Sequence, residues 1–279
     1  MSQPFALSCR GGLNVNLNQL EIMRQPGLAT ELLNFEVDPD GGYRRINGFT
    51  LFGGDSSARP NSSNRILGLA VYADGLIACS GTGIFFSQDG TSWLQINKAS
   101  VSASGDNFST FSGRSNDARS SQGQCSFALF EGTTDYGEML ICDGANKPFF
   151  FKMTGTGALS DRTFFAGEIT VDSTTAPTVG VIHENHFVVG GAPTAKNKIF
   201  FSATLDPESF SGTGSGSIQL TDAIVGLASF RSDLIIFCKN SIFKLINISD
   251  SSNIAIVPIT QNVGCLDGNS IQEIGGDLL

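Results

Sequence analysis

An apolar strand-like run, a tight turn and a second apolar run recur four times along this chain, and that recurrence decides what it can fold into. The first unit is the clearest: in ILGLAVYADGLIACSGTGIFFSQDGTSWLQI, residues 66–96, apolar segments are cut by turns at Asp74-Gly75, at Gly81 to Gly83 and at Asp89-Gly90. Runs of this length bounded by Gly and Asp predict strands joined by tight turns. The unit therefore reads as a four-stranded antiparallel meander. Weaker copies follow at 124–153 (QCSFALFEGTTDYGEMLICDGANKPFFFKM), at 178–210 and at 223–248.

Aligning the first strands on Leu67, Phe127, Val179 and Val225 gives spacings of 60, 52 and 46 residues. Propeller blades repeat at roughly 40–50 residues. The excess falls in Ser/Gly-rich inserts such as SASGDNFSTFSGRSNDARSSQG. A single small sheet cannot bury both of its faces, so such units pack around a common axis. The expected fold is all-β, a β-propeller-like array of four-stranded antiparallel blades over residues 61–279. A fifth unit is expected to begin in NSIQEIGGDLL, so the array is expected to be incomplete at its C-terminus, as in a fragment or a chain whose edge another element covers.

Composition supports short strands and many turns: 33 Gly, 22 Phe and only 15% charged residues. Long amphipathic helices call for more Ala, Glu, Lys and Leu. A net charge of −9 opposes a nucleic-acid grip, which depends on Lys and Arg displacing counterions. Apolar runs such as DLIIFCKNSIFKLI are interrupted by charge well short of the roughly 20 residues a membrane helix needs. The start, MSQPFALSCRGG, lacks the pattern of a secretory signal, which points to a cytoplasmic site of synthesis and folding. The six cysteines form no CxxC pair. Cys79, Cys142 and Cys238 lie in apolar strand-like runs, where Cys is a small buried hydrophobe.

Residues 1–60 form a separate N-terminal segment in this reading. In ATELLNFEV, Leu33, Phe35 and Val37 alternate with polar residues, Asp38-Pro39-Asp40-Gly41-Gly42 supplies a turn, and YRRINGFTLF returns as a second strand. The predicted hairpin carries Tyr43, Arg44 and Arg45, an unusual cluster in so lightly charged a chain. Exposed arginines are often simply solvated, but a rigid guanidinium fork also suits a carboxylate across a subunit boundary, so these three are the candidate interface residues.

Candidate chemistry is sparse. Ser87, Asp89, Gly90 and Trp93 in SQDGTSW resemble the Asp-box of sialidase-like propellers, a folded turn between the third and fourth strands of a blade, and its role there is structural. His183 and His186 in HENH have strand-like flanks, and are expected at a strand-to-strand turn with exposed imidazoles rather than on a metal. GTGSGS (212–217) and the Gly-rich stretch after Lys152 lack the Lys-Ser/Thr of a phosphate loop and read as flexible loops. There is no Gly-x-Ser-x-Gly elbow. No catalytic, cofactor-binding or metal-binding residue is assigned, and an enzyme is not expected.

Two phrases carry a resemblance. Gly11-Gly12-Leu13-Asn14, Pro26-Gly27-Leu28-Ala29, Leu33-Asn34-Phe35-Glu36 and Gly41-Gly42-Tyr43-Arg44-Arg45 with Gly48-Phe49 resemble the N-terminal signature of the tail nozzle, or tail stabilisation (tail tube B-like), proteins of short-tailed phages. IFFSATLDPESF and the following DAIVGLASFRSDLIIFCKNSIFKL look like blades of the same family. The resemblance implies a structural virion protein assembled in the host cytoplasm as a homo-oligomeric, typically hexameric, ring. Such a ring sits beneath the portal and tail adaptor, contacts tail fibres in some members, and extends the channel for DNA ejection. It implies transient passage of genomic DNA without specific binding, no membrane partner and no cofactor. The alternative from the residues alone is a glycan-binding or sialidase-like propeller.

Overall fold

A computed structural model describes residues 12–13, 17–24, 27–31, 33–37, 43–48, 52, 59–61, 64–97, 111–112, 119–132, 134–156, 161–172, 175–250, 252–274 and 277–278. The chain falls into two compact units, Met1–Leu51 and Phe52–Leu279.

In the first unit, β1 (Gly12–Leu13) pairs in parallel with β2 (Leu28–Ala29), and between them lies the single-turn helix α1 (Gln19–Arg24). Its start is capped: the Asn18 side chain accepts from the Leu20 and Glu21 N–H groups at 3.0 Å each. That cap satisfies two of the donors a helix leaves unpaired at its N-terminus. β3 (Phe35–Val37) and β4 (Tyr43–Arg45) form the expected antiparallel pair, with Glu36 opposite Arg44. The turn at Asp38 to Gly42 lies outside the described residues, as do Gly11, Asn14, Pro26 and Phe49.

The second unit holds four antiparallel meanders. The first sheet is β5 (Ile66–Tyr72), β6 (Gly75–Ser80), β7 (Gly83–Ser87) and β8 (Leu94–Gln95). A short strand, β9 (Phe111–Ser112), then precedes the second sheet: β10 (Ser126–Phe130), β11 (Glu138–Cys142), β12 (Phe149–Thr154) and β13 (Thr163–Glu168), on whose outer edge β9 adds in parallel. The third sheet is β14 (Val179–His183), β15 (His186–Gly190), β16 (Lys198–Phe201) and β17 (Gly216–Gln219). The fourth is β18 (Ile224–Phe230), β19 (Asp233–Cys238), β20 (Ile242–Ile246) and β21 (Ala255–Thr260). A hairpin of β22 (Glu273–Ile274) and β23 (Asp277–Leu278) follows. The fold is all-β, a propeller-like array of blades, and the described residues show four of them.

Each seam between successive blades has its own apolar core. The first joins Tyr72, Ile77, Ile84 and Phe86 of the first blade to Met139, Ile141, Phe151 and Phe164 of the second. The second joins Phe130, Leu140 and Cys142 to Phe187, Val189 and Phe200, and the third joins Val188, Ile199 and Phe201 to Leu234, Ile236 and Leu245. The second strands thus bury both faces: along β11, Met139 and Ile141 enter one seam while Leu140 and Cys142 enter the other. This is why EMLIC, HFVVG and DLIIFC read as unbroken apolar runs instead of alternating ones.

Candidate functional site

The first strand of each blade faces a shared axial cleft. β10 lies against β14 and β14 against β18, while the Cys125 N–H donates to the Leu67 carbonyl at 3.0 Å to tie the second blade to β5. Such close approach of strands leaves little room for side chains. At Gly68 an added Cβ would stand 2.7 Å from the Phe127 ring, and at Gly226 it would stand 2.3 Å from Ile271. Glycine at the third position of β5 and of β18 therefore lets the next segment of chain lie directly against them.

The cleft has a volume of about 810 Å³. Its walls come from the inner strands, from the turns after β11, and from residues 266–269. Two carboxylates line it, and both are occupied by their own turns. Asp143 accepts from the Ala145 and Asn146 N–H groups at 2.9 and 2.8 Å, from the Asn146 amide, and from Arg119 at 3.1 Å. Asp267 caps the short turn Gly268–Ser270, accepting from Asn269 N–H at 3.0 Å. Cys125 also lines the wall, and its thiol donates to the Gln122 Oε1 at 3.4 Å and to the Gly123 carbonyl at 3.6 Å. The nearby Cys125 thiol together with burial holds the Cys79 thiol well above its ordinary pKa.

The Asp-box-like residues form one turn joining β7 to β8. Asp89 accepts from the Thr91 and Ser92 N–H groups at 2.8 and 3.0 Å and from the hydroxyls of Thr91 and Ser87. The Thr91 hydroxyl, with these backbone donors, lowers its pKa to about 2. Gly90 has a φ of 75°, and its N–H donates to the Ser87 hydroxyl at 2.8 Å. Trp93 donates its indole N–H to the Gly90 carbonyl at 3.2 Å and packs edge-on against Phe52. Every one of these hydrogen bonds is local, so the turn shapes the blade edge.

The three candidate interface residues lie together on β4. Arg44 pairs with Glu36 of the facing strand at 2.6 Å; among the described residues the exposed Arg45 makes no ion pair, and the buried Tyr43 hydroxyl has no hydrogen-bond partner. One guanidinium of the pair is thus already spent within its own hairpin.

The HENH reading needs correction. Glu184 and Asn185 form a two-residue turn with φ of 45° and 63°, as expected of a strand-to-strand connection. Both imidazoles are nonetheless buried. A turn this short makes His183 and His186 the closing pair of the β14–β15 ladder, which carries them into the packed part of the blade. His183 meets the Ser229 hydroxyl of the next blade at 2.9 Å, and His186 meets the Ser202 carbonyl at 2.7 Å. Burial pushes the His183 pKa down. The GTGSGS stretch is corrected too, since its last two residues begin β17.

Sequence reasoning missed the groups that cross the seams. The Tyr72 hydroxyl donates to the Gly137 carbonyl at 2.8 Å and accepts from the Met153 N–H at 3.1 Å, joining the first blade to the second. Arg162 grips Asp74 with two bonds of 3.0 Å at the rim of that seam. Between the second and third blades, Lys152 bridges Glu138, at 3.4 Å, and Glu208. Only the last has a visible signal: Glu208 belongs to the LDPESF phrase, whose turn is closed by Ala203 N–H to the Ser209 carbonyl at 2.7 Å.

No protein-family model matches the chain, and neither does any curated protein. Among solved structures, it is similar to a chain in "Cryo-EM structure of RAG in complex with one melted RSS and one unmelted RSS", at 12% identity over 75% of this chain and 71% of that one, with a TM-score of 0.45. A likeness at that level carries no functional argument.

Among the described residues, no helix is long and apolar enough to cross a membrane, and no group of three or more His, Cys, Asp or Glu side chains could hold a metal ion.

Proposed function

We propose that this chain is a structural, non-catalytic subunit of a short-tailed phage tail nozzle, assembling as a homo-oligomeric ring that extends the DNA-ejection channel. The observation that carries this reading is the surface of the first unit. Leu13, Leu20, Met23, Leu33 and Phe35 are all exposed there, Leu20 at 74% and Met23 at 82%. Five large apolar side chains left exposed on so small a unit are what a surface covered by another protein would require. Leu13, Leu33 and Phe35 belong to the very phrases that resemble the nozzle family.

The charge of the chain supports the same role. A conduit for DNA functions best when its wall does not hold phosphates, and a chain of net charge −9 with 17 Lys and Arg offers few counterion-releasing contacts. The tail adaptor above and fibres at the side are the further partners this reading implies, in a virion assembled in the host cytoplasm.

The test is the mass of the full chain by light scattering, with negative-stain images of the particles. A ring of several copies is expected, and replacing Leu20 and Met23 together by Asp is expected to shift it towards monomer while the β-sheet circular dichroism is retained. A monodisperse monomer at high concentration, or a ring indifferent to the double substitution, overturns the proposal.

A further inference from the structure

Cys79 lies on β6 directly opposite Gly68 of β5, so the side-chain positions of the two residues share a face of the first blade. Opposed positions of an antiparallel pair stand about 4.5–5.5 Å apart at Cβ. Gly68 has no Cβ, and the space one would fill is taken by Cys125, whose own Cβ lies 2.8 Å from that point. Cys125 is fixed there by its N–H bond to the Leu67 carbonyl. The two cysteines, from different blades, are therefore brought to the same face of one apolar core. Cys142 packs in the neighbouring seam with its sulfur beside Gly180.

Access differs between the two thiols. Cys79 has 0% of its surface exposed, whereas Cys125, at 9%, is part of the wall of the axial cleft. A small molecule entering the cleft thus meets Cys125 first and Cys79 behind it.

We propose that Cys79 and Cys125 are a redox-active dithiol that low-molecular-weight disulfides, entering by the axial cleft, convert to a covalent link between the first two blades. In the first step the Cys125 sulfur, having given up its proton, attacks one sulfur of the small disulfide. The S–S bond of that molecule breaks, and one thiolate leaves and takes up the proton. In the second step Cys79, likewise deprotonated, attacks the Cys125 sulfur of the mixed disulfide, and the second small thiolate leaves and is protonated. Two protein thiols are oxidised and one small disulfide is reduced to two thiols, so the exchange balances with no other reagent. Because Cys79 is buried, the second step awaits local opening and is the slower. The proposal stands on the geometry of this seam and is independent of the oligomer reading.

The experiment is incubation of the folded full chain with oxidised glutathione, acid quenching, alkylation and peptide mapping without reduction. The peptide holding Cys79 is expected to be linked to that holding Cys125, with two of the six thiols lost on titration in denaturant and recovered with dithiothreitol. Cys79→Ser is expected to accumulate glutathione on Cys125, and Cys79→Ala serves the same arm if Ser at that buried position impairs folding. Cys125→Ser is expected to leave Cys79 unmodified. A predominant Cys125–Cys142 link, modification of Cys79 in the Cys125→Ser chain at the wild-type rate, or linkage only in denatured protein would overturn the proposal.

Discussion

Between the first and second blades, the group that crosses the middle of the seam is neutral, a tyrosine hydroxyl with two backbone partners set among Phe86, Phe151 and Phe164, with Tyr72 and Phe151 ring centres 5.3 Å apart, and charge enters at the rim through Arg162 and Asp74. Between the second and third blades, a lysine with 21% of its side chain exposed is shared by two carboxylates, one of which, Glu138, is buried and has an Oε1 with no hydrogen-bond partner. Both seams are packed with apolar side chains, and they differ in whether the polar group within the packing is neutral or charged. An ionic seam carries a desolvation penalty that packing does not, and it responds to pH. Removing a member from each seam separates the two.

The largest effect is expected in the neutral seam. Tyr72→Ala deletes an aromatic side chain that is 1% exposed, and large-to-small changes of this kind cost about 3–5 kcal/mol. Tyr72→Phe keeps the ring but leaves the Met153 N–H without its partner, while the Gly137 carbonyl keeps the Thr134 hydroxyl at 2.7 Å, and about 1–3 kcal/mol is expected. Urea unfolding checks both. Burial already holds the Tyr72 hydroxyl far above its usual pKa, so neither loss should vary between acid and neutral pH. A Tyr72→Phe loss that grows with pH would show that this seam is not the neutral one.

The ionic seam is expected to behave in the opposite way. Burial, together with the nearby Glu208 charge, pushes the Glu138 carboxyl from 4.5 up to about 7. The folded chain thus keeps a proton that the unfolded chain loses, so its stability is fullest below about pH 4.5 and falls as pH rises to about 7. At about 1.4 kcal/mol per pKa unit the fall is on the order of 3 kcal/mol. Glu138→Gln, neutral throughout, should flatten that slope and leave Lys152 to Glu208. The check is unfolding of both chains in urea across the same pH range; parallel curves would remove Glu138 from the ionic account.

How much of this was readable in advance follows from where each element sits. The first blade was legible strand by strand because Asp, Gly and Ala punctuate it at every turn and its three inner strands are long and apolar. The fourth strands of the other blades were not: β17 and β21 lie at the outer edge, largely half exposed, and β13, which β9 flanks, alternates buried with half-exposed residues. α1 escaped notice although Asn18 and Glu21 carry the spacing of a capping box. HENH was placed correctly at a turn but on the wrong side of the surface, since the two-residue loop leaves both histidines paired within the ladder. The axial cleft had no signal at all: its walls come from six separate segments of the chain, and proximity between them exists only after folding. Tyr72, Glu138 and Cys125 likewise look like ordinary strand residues until the blades meet.

The smallest effect is expected outside the blades, in the hairpin of the first unit, where charge is again paired but in water. Arg44 and Glu36 are about half exposed, and such pairs are worth about 0.2–1 kcal/mol at most. Arg44→Ala should therefore leave the unfolding midpoint almost unmoved and lose what little effect it has in high salt, unlike either seam. Its neighbour has a different prospect. Arg44 already spends its guanidinium on Glu36, whereas Arg45 projects from the same strand with no ion pair among the described residues, so a carboxylate of a neighbouring subunit would engage Arg45 first. Light scattering of the two single variants tests this directly, with Arg45→Ala expected to weaken the ring more than Arg44→Ala. Equal assembly by both would return the pair to the solvated surface and leave the apolar residues of that unit to carry the interface alone.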